Sequence, residues 1–218
     1  MKKNWIQFGV LALVTTLSLM PARADDAFIR VLHGLSLGSK VDVYIDGYKK
    51  YNDVKFSDLT KYIRVPAGYR TVRVATNSPA RTIASTKRTF RRGEFYTIGV
   101  YGLPRQVRIL NGHDSSGGTL YGQARLTAYN LSPGMKPFSV VAYLKGGRIQ
   151  RLINNVSYGQ GKSGNIPATA LTVRLVRNGR ILQTITGVSP RMGRKYAAYA
   201  IGRPSRNFRV LLDKTASQ

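Results

Sequence analysis

The feature that most constrains this chain is an internal repeat. The segment GEFYTIGVYGLP begins at Gly93, and GRKYAAYAIGRP begins one hundred residues later at Gly193. Glycine, tyrosine, glycine and proline occupy the same relative places in both segments. The matched residues are Gly93, Tyr96, Gly102 and Pro104 in the first copy and Gly193, Tyr196, Gly202 and Pro204 in the second. Because each copy has about the length of a common domain, the repeat predicts two similar folded units.

The rest of the sequence alternates apolar and polar residues, which indicates half-buried antiparallel strands. In VDVYID, the residues Val41, Val43 and Ile45 share one face of a strand. Asn178 and Gly179 separate two alternating runs and predict a tight hairpin turn. We therefore predict an all-β chain of two tandem immunoglobulin-like antiparallel β-sandwiches, each with about seven strands. The alternative is one closed barrel.

The residues shared by the two copies have structural roles in this prediction. Gly93 and Gly193 are expected to form the turn into a strand. Tyr96 and Tyr196 are expected to bury their rings while their hydroxyl groups reach the backbone. A tyrosine near the penultimate strand is typical of Greek-key sandwiches. The glycine and proline that follow each tyrosine are expected to end its strand in a turn.

The first 24 residues have the layout of a cleaved signal peptide. Lys2 and Lys3 precede an apolar run from Trp5 to Met20, and the small residues at 22–24 offer a cleavage site. An uncleaved membrane anchor is the alternative. The chain contains no cysteine, so it forms no disulfide. We predict a periplasmic protein, with full secretion as the alternative.

We place the boundary between the two units at a segment rich in glycine and serine. The predicted order is a signal peptide (1–24), a first sandwich (25–112), a linker (113–120) and a second, more basic sandwich (121–218). The composition of the linker favours flexibility. We expect His113 and Asp114 within it to form a solvated pair.

Positive charge dominates the chain, whose formal net charge is +26. Residues 121–218 contain 16 lysines and arginines but one acidic residue, Asp213. Like charges at this density repel each other, so an anionic partner is expected. Export favours an acidic polysaccharide, lipopolysaccharide or an anionic lipid surface as that partner, and we expect no nucleic acid. The alternative is a basic surface that only confers solubility.

Basic residues interleaved with aromatic residues indicate where such a partner binds. Arginine pairs with carboxylates in a planar, bidentate geometry, and aromatic rings stack on sugar faces. In the second half, Arg174 and Arg209 alternate with apolar neighbours and are expected to point outward from their strands. The candidate polyanion-binding residues are Lys145, Arg148, Arg151, Arg174, Arg177, Arg191, Arg194, Lys195 and Arg209.

Few groups in this sequence are suited to catalysis. The chain has two histidines, one glutamate and none of the common hydrolase, metalloprotease or nucleotide-binding motifs. His33 at a strand end is expected to be structural, and an enzyme site near His33 and Asp42 is the alternative. The four aspartates at 42, 46, 53 and 58 lack the spacing of a known calcium loop and are expected to be outward strand and turn residues, with a cation site built from two or three of them as the alternative. We predict a non-enzymatic protein without a metal or another cofactor.

In the first half, three segments carry a family likeness: RVLHGLS (30–36), VDVYIDG (41–47) and VPAGYRTVRV (65–74). They resemble the bacterial domain-of-unknown-function family 4397, whose tandem modules open with a similar strand, a histidine and a serine. This chain departs from that pattern at Leu37 and Gly38, where the family usually has Pro-Asp. The second copy also lacks the VDVYVDG-like strand.

The second half contains RLTAYNLSPG (125–134) and ALTVRLVRNGRILQTI (170–185). These segments are similar to the periplasmic alginate O-acetylation accessory proteins, the alginate biosynthesis protein F family. The resemblance implies a non-enzymatic partner of a complex that modifies an exopolysaccharide, with acetyl transfer performed by other subunits. Our functional hypothesis is a binding or scaffold protein in exopolysaccharide biosynthesis or O-acetylation. The alternative is a structural envelope module that adheres to anionic lipid or lipopolysaccharide.

Overall fold

The computed structural model describes residues 26–35, 39–77 and 79–215. The predicted signal peptide (1–24) lies outside these ranges and stays a prediction. Within them the chain consists of β-strands joined by turns, with a single turn of 3-10 helix. The prediction of an all-β fold is therefore confirmed. No helix in the described ranges is long and apolar enough to cross a membrane.

Sixteen strands follow one another along the described chain, eight in each half. The first eight are β1 (Asp26–His33), β2 (Val41–Ile45), β3 (Tyr48–Val54), β4 (Ile63–Pro66), β5 (Gly68–Asn77), β6 (Ala80–Phe90), β7 (Phe95–Leu103) and β8 (Gln106–His113). The second eight are β9 (Gln123–Asn130), β10 (Phe138–Leu144), β11 (Ile149–Val156), β12 (Gly161–Pro167), β13 (Leu171–Arg177), β14 (Arg180–Val188), β15 (Lys195–Ile201) and β16 (Arg209–Lys214). The 3-10 turn lies between β10 and β11, at Lys145–Gly147.

The strands form four sheets, and the strand order is the same in both halves. In the first half the orders are β4-β1-β7-β8 and β3-β2-β5-β6, and in the second half they are β12-β9-β15-β16 and β11-β10-β13-β14. The two sheets of each half pack on a shared apolar core, so each half is a sandwich. Each described half has eight strands rather than the predicted seven, and these include β4 and β12, which pair with β1 and β9.

The tyrosines of the repeat fix the turns that precede β7 and β15. The backbone N–H of Arg91 donates a hydrogen bond to the Tyr96 hydroxyl group at 3.0 Å. The N–H of Arg191 donates to the Tyr196 hydroxyl group at the same distance, 3.0 Å. The two halves therefore share this contact as well as their strand order.

The glycines and prolines of the repeat lie at the ends of these strands or in the adjoining turns. They are Gly93, Gly102, Pro104, Gly193, Gly202 and Pro204. Gly102 and Gly202 have φ angles of 118° and 73°. At both positions the backbone carbonyl group of a later residue, Gln106 or Asn207, occupies the space that a Cβ would need. These two turns thus require glycine for its conformation and for its size.

The two sandwiches pack against each other through the sheets that contain β7 and β15. The faces of these sheets that point away from the sandwich cores bury one apolar cluster, which includes Leu32, Tyr101, Leu131, Tyr199 and Ile201. The protein is therefore a stack of four sheets. We call β3-β2-β5-β6 the first outer sheet and β11-β10-β13-β14 the second outer sheet.

Three glycines of the first sandwich receive side chains of the second sandwich. A Cβ at Gly34 would lie 3.0 Å from Cγ2 of Ile201. A Cβ at Gly99 would lie 3.3 Å from Cδ1 of Leu131, and Gly112 lies under a tyrosine of the second sandwich in the same way. The absence of these three side chains lets the two central sheets approach closely.

A charged cluster crosses the same interface. Arg30 of β1 is 3% exposed and forms a salt bridge with Asp213 of β16. The Arg30 Nε group donates to Thr97 Oγ1 at 2.9 Å and lies 3.8 Å from Asp114 Oδ2. That carboxylate oxygen also accepts hydrogen bonds from Thr97 Oγ1 at 2.5 Å and from the Tyr62 hydroxyl group at 2.8 Å. The Arg30–Asp213 ion pair therefore joins the two sandwiches, with the Arg30 side chain buried and the Asp213 side chain 41% exposed.

The prediction that His113 and Asp114 form a solvated pair is wrong. Asp114 is 7% exposed, because the charged cluster at the interface holds its carboxylate. His113 ends β8, and its Nε2 lies 3.0 Å from Glu94 Oε2. The assignment of 113–120 as a linker stays a prediction.

Candidate functional site

The nine candidate polyanion-binding residues lie on two different sheets. Five belong to the second outer sheet or to its β10–β11 turn: Lys145, Arg148, Arg151, Arg174 and Arg177. Four belong to the neighbouring central sheet or to the turn before β15: Arg191, Arg194, Lys195 and Arg209. The structure thus brings the first five of these candidates to one sheet and its adjoining turn, where the Arg177 guanidinium group lies 3.9 Å from Sδ of the core residue Met135.

A row of three residues crosses the second outer sheet. Val141 of β10 pairs with Arg151 of β11 on one side and with Arg174 of β13 on the other. Directly opposite residues share a face of a sheet. Because Val140 and Ala142 belong to the sandwich core, this row faces outward. We call Arg151, Val141 and Arg174 the second basic row.

An aromatic ring and apolar side chains adjoin the second basic row. The guanidinium carbon of Arg174 lies 4.0 Å from the centre of the Tyr143 ring, in a cation–π contact. Ile149 and Ile181 are 63% and 52% exposed. They line an open cleft of about 390 Å³ together with Arg151. The surface combines apolar area with guanidinium groups, which suits a ligand with an apolar face and a carboxylate.

No acidic group neutralises this row in the described part of the chain. Asp213 is the one acidic residue among residues 121–218. Its carboxylate is bound by Arg30 at the interface between the sandwiches. Among the described residues, neither Arg151 nor Arg174 forms a salt bridge. The buried Nε of Arg174 also has no hydrogen-bond partner there.

Lys195 and Arg209 contact the first sandwich rather than the second outer sheet. The Lys195 ammonium group donates a hydrogen bond to the backbone carbonyl group of Ser115. Burial lowers the pKa of Lys195, and the nearby Glu94 carboxylate opposes this effect in part. Arg209 donates to Ser57 Oγ at 3.3 Å. Both cations therefore lie at contacts between the sandwiches, and their role in binding a polyanion stays a prediction.

Two cations of the first outer sheet are not among the predicted binding residues. There, Tyr44 of β2 pairs with Lys49 of β3 and with Arg73 of β5. The guanidinium carbon of Arg73 lies 3.7 Å from the centre of the Tyr44 ring. A signal for this residue exists in the sequence, because the TVR triplet that ends at Arg73 recurs at Arg174.

The aspartates of the first half are held by separate basic partners. The salt bridges are Asp42–Lys49 at 2.7 Å, Asp46–Arg70 at 3.3 Å and Asp53–Lys40 at 3.7 Å. Asp58 instead accepts a hydrogen bond from the backbone N–H of Lys55 at 2.8 Å. In the described ranges no group of three or more histidine, cysteine, aspartate or glutamate side chains converges on a metal position.

His33 lies in a packed interior. Its side chain is completely buried, and its ring meets the Phe56 ring edge to face, with 6.5 Å between the centres. Burial lowers the pKa of His33, and the backbone groups of Lys55 and Val54 oppose this effect only in part. These surroundings give His33 a structural position without room for a substrate.

We expect the protein to lose stability as the pH falls below about 6.5, the ordinary pKa of histidine. In this range the unfolded chain binds a proton at His33 that the folded chain does not bind, so acid favours unfolding. The free energy of unfolding in urea at pH about 7 and about 5 measures the loss. A His33→Leu variant should lose less stability across this range. An equal loss in both proteins would contradict this role of His33.

Comparisons with known proteins give little beyond a family. No curated protein matches the chain. A solved structure, the family CBM26 module CBMbc of Eubacterium rectale Amy13K in complex with maltoheptaose, is 12% identical. The match covers 87% of this chain and 97% of that chain, with a TM-score of 0.27, a value that supports no conclusion about this chain. The comparisons do not support the likeness to the alginate O-acetylation accessory proteins.

A family model, "Domain of unknown function (DUF4397)", matches residues 27–141. The matched range begins in β1, continues through β8 and ends within β10. It contains the three segments of the first half that carry the predicted likeness, and it spans more than half of the 218 residues. This chain therefore belongs to the DUF4397 family.

Proposed function

We propose that this protein is exported, binds an acidic polysaccharide through the second outer sheet, and serves exopolysaccharide biosynthesis or O-acetylation without catalysing a reaction. The observation that carries the proposal is the second basic row, where Arg151 and Arg174 flank Val141 without an acidic partner among the described residues. Uronate sugars present carboxylates, which guanidinium groups bind in a planar geometry. Tyr143 and the exposed isoleucines beside the row offer area for the sugar rings.

The arrangement of Ser115, Glu94 and His113 supports a role without catalysis. The Ser115 hydroxyl group donates to the Glu94 carboxylate, and His113 Nε2 lies 3.0 Å from the same carboxylate oxygen. The carboxylate therefore lies between the serine and the histidine. A histidine base must instead contact the hydroxyl group whose proton it takes. Acetyl transfer is then performed by other proteins.

The proposal is tested by binding of the chain to alginate, with a neutral glucan as the control polymer. An Arg151→Glu/Arg174→Glu variant is expected to bind alginate about thirtyfold more weakly, since each of the two charge reversals weakens binding by roughly 1 kcal/mol. The matched control is Arg203→Glu/Arg206→Glu, which makes the same charge change at exposed residues of the same half. An equal loss in both variants, or binding of the glucan, would contradict the proposal.

The exposed Ile149 and Ile181 favour a second candidate function, which is adhesion to anionic lipid or lipopolysaccharide. In that case the isoleucines would enter the membrane interface while Arg151 and Arg174 contact the lipid phosphates. Binding to anionic vesicles together with no binding to alginate would select this function. An Ile149→Ser/Ile181→Ser variant should then lose vesicle binding.

A further inference from the structure

The first outer sheet contains a row that is equivalent to the second basic row. Tyr44 pairs with Lys49 on one neighbouring strand and with Arg73 on the other, as Val141 pairs with its two arginines. The strands themselves correspond, because β3-β2-β5-β6 and β11-β10-β13-β14 have the same order. We call Lys49, Tyr44 and Arg73 the first basic row. Both halves thus place a cation on each side of the same central strand.

The two rows keep their cations although the residues around them differ. The central residue is Tyr44 in the first basic row and Val141 in the second. Two positions earlier on the same strands, the first sheet has Asp42 and the second has Ser139. The cations belong to neither sandwich core. Folding of the sandwiches therefore does not explain why both copies keep them.

Unlike the second basic row, the first basic row is partly neutralised by an acidic neighbour. Asp42 pairs with Lys49 at 2.7 Å, and this leaves Arg73 as the cation of the row without an acidic partner among the described residues. The Arg73 guanidinium group donates to Thr82 Oγ1 at 3.3 Å and stacks on the Tyr44 ring. An open cleft of about 280 Å³ adjoins these residues. The row thus offers a guanidinium group, an aromatic ring and space for a ligand.

The two basic rows lie at opposite ends of the four-sheet stack. Packed sheets lie about 10 Å apart, so about 30 Å of protein separates the two outer sheets. Both rows face outward from the stack, since the intervening residues of their strands fill the sandwich cores. A short ligand therefore cannot contact both rows at once.

From this arrangement we infer that the first basic row is a second, weaker site for the same anionic polysaccharide, and that one chain bridges two polymer segments. This inference rests on the proposed function of the second outer sheet. A protein with one site only coats a polymer, whereas a protein with two outward sites links polymer strands to each other. The chain would then organise an exopolysaccharide as well as bind it.

Isothermal titration calorimetry with an alginate tetrasaccharide counts the sites. The full chain is expected to bind two tetrasaccharides with unequal affinities. A Lys49→Gln/Arg73→Gln variant should keep only the tighter site, and Arg151→Gln/Arg174→Gln should keep only the weaker one. The matched control is Lys55→Gln/Arg105→Gln, which removes two exposed cations of the first sandwich outside the row and should keep both sites. Circular dichroism verifies that each variant is folded.

The outcomes separate this inference from the proposed function. One site per chain, lost in the second-row variant and unchanged in the first-row variant, would overturn the inference and leave the proposed function in place. No binding by the full chain would overturn both. With long alginate, light scattering should show cross-linked assemblies for the full chain and for the control. The same assemblies in the first-row variant would also overturn the inference.

Discussion

Replacing Gly202 by alanine is expected to destabilise the second sandwich by about 3 kcal/mol. The residue has a φ of 73°, and a Cβ there would overlap the carbonyl oxygen of Asn207 and lie 2.9 Å from its carbonyl carbon. Because both atoms belong to the backbone, rotation of a side chain cannot relieve the overlap. The free energy of unfolding in urea, followed by circular dichroism, measures the loss.

Gly179→Ala is the matched control for this substitution. Gly179 has a φ of 76°, but a Cβ there would meet no atom within 4 Å. Its replacement should therefore cost about 1 kcal/mol, which is the strain of the positive φ alone. Equal losses at Gly179 and Gly202 would mean that the close approach of the backbone does not explain why the repeat keeps glycine.

Arg30→Met is expected to lower the free energy of unfolding by about 3 to 5 kcal/mol, because it leaves Asp114 buried without its cation. Burial already raises the pKa of Asp114, and Arg30, Thr97 and Tyr62 offset part of that rise. Removal of Arg30 raises this pKa further. A carboxyl group whose pKa is higher in the folded state than in the unfolded state stabilises the folded state as the pH falls. The loss of stability caused by Arg30→Met should therefore shrink in acid. Urea denaturation at several pH values measures both effects.

Two further variants test whether the buried charge is the cause. Arg30→Met/Asp114→Asn removes the cation and the anion together and should recover part of the loss. Asp213→Asn should cost less, about 1 kcal/mol, since the Asp213 side chain is 41% exposed and Arg30 keeps Asp114 as a second acidic partner. If Arg30→Met lowers the free energy of unfolding no more than Asp213→Asn does, the charged cluster does not stabilise the interface.

Much of each sandwich could be predicted from the sequence, because a period of two residues places every second side chain in a core. Val41, Val43 and Ile45 are examples, and all three are buried in the first sandwich. The additional strand of each half, β4 or β12, was not predicted. Ile63–Pro66 is short and ends at a proline, so its strand character depends on pairing with β1 rather than on its own pattern.

The interface between the sandwiches could not be predicted in the same way. Arg30 alternates with core residues of β1, and this pattern predicts a solvent-exposed side chain. The second sandwich covers that face and buries Arg30, as it buries Asp114. The prediction of the candidate site was incomplete for a related reason. Alternation predicts that Arg174 points outward, but only the sheet order shows that Arg151 lies across Val141 from it.

The glycines at this interface bear on the ancestry of the molecule. At equivalent interface positions β7 has Gly99 and β15 has Tyr199. A symmetric homodimer of either half would have the same residue, Gly99 or Tyr199, at this position on both sides of its interface. Symmetry imposes the same surface on both partners of a dimer. Two copies in one chain are free of that restriction, so one half can have a small residue where the other half has a large one.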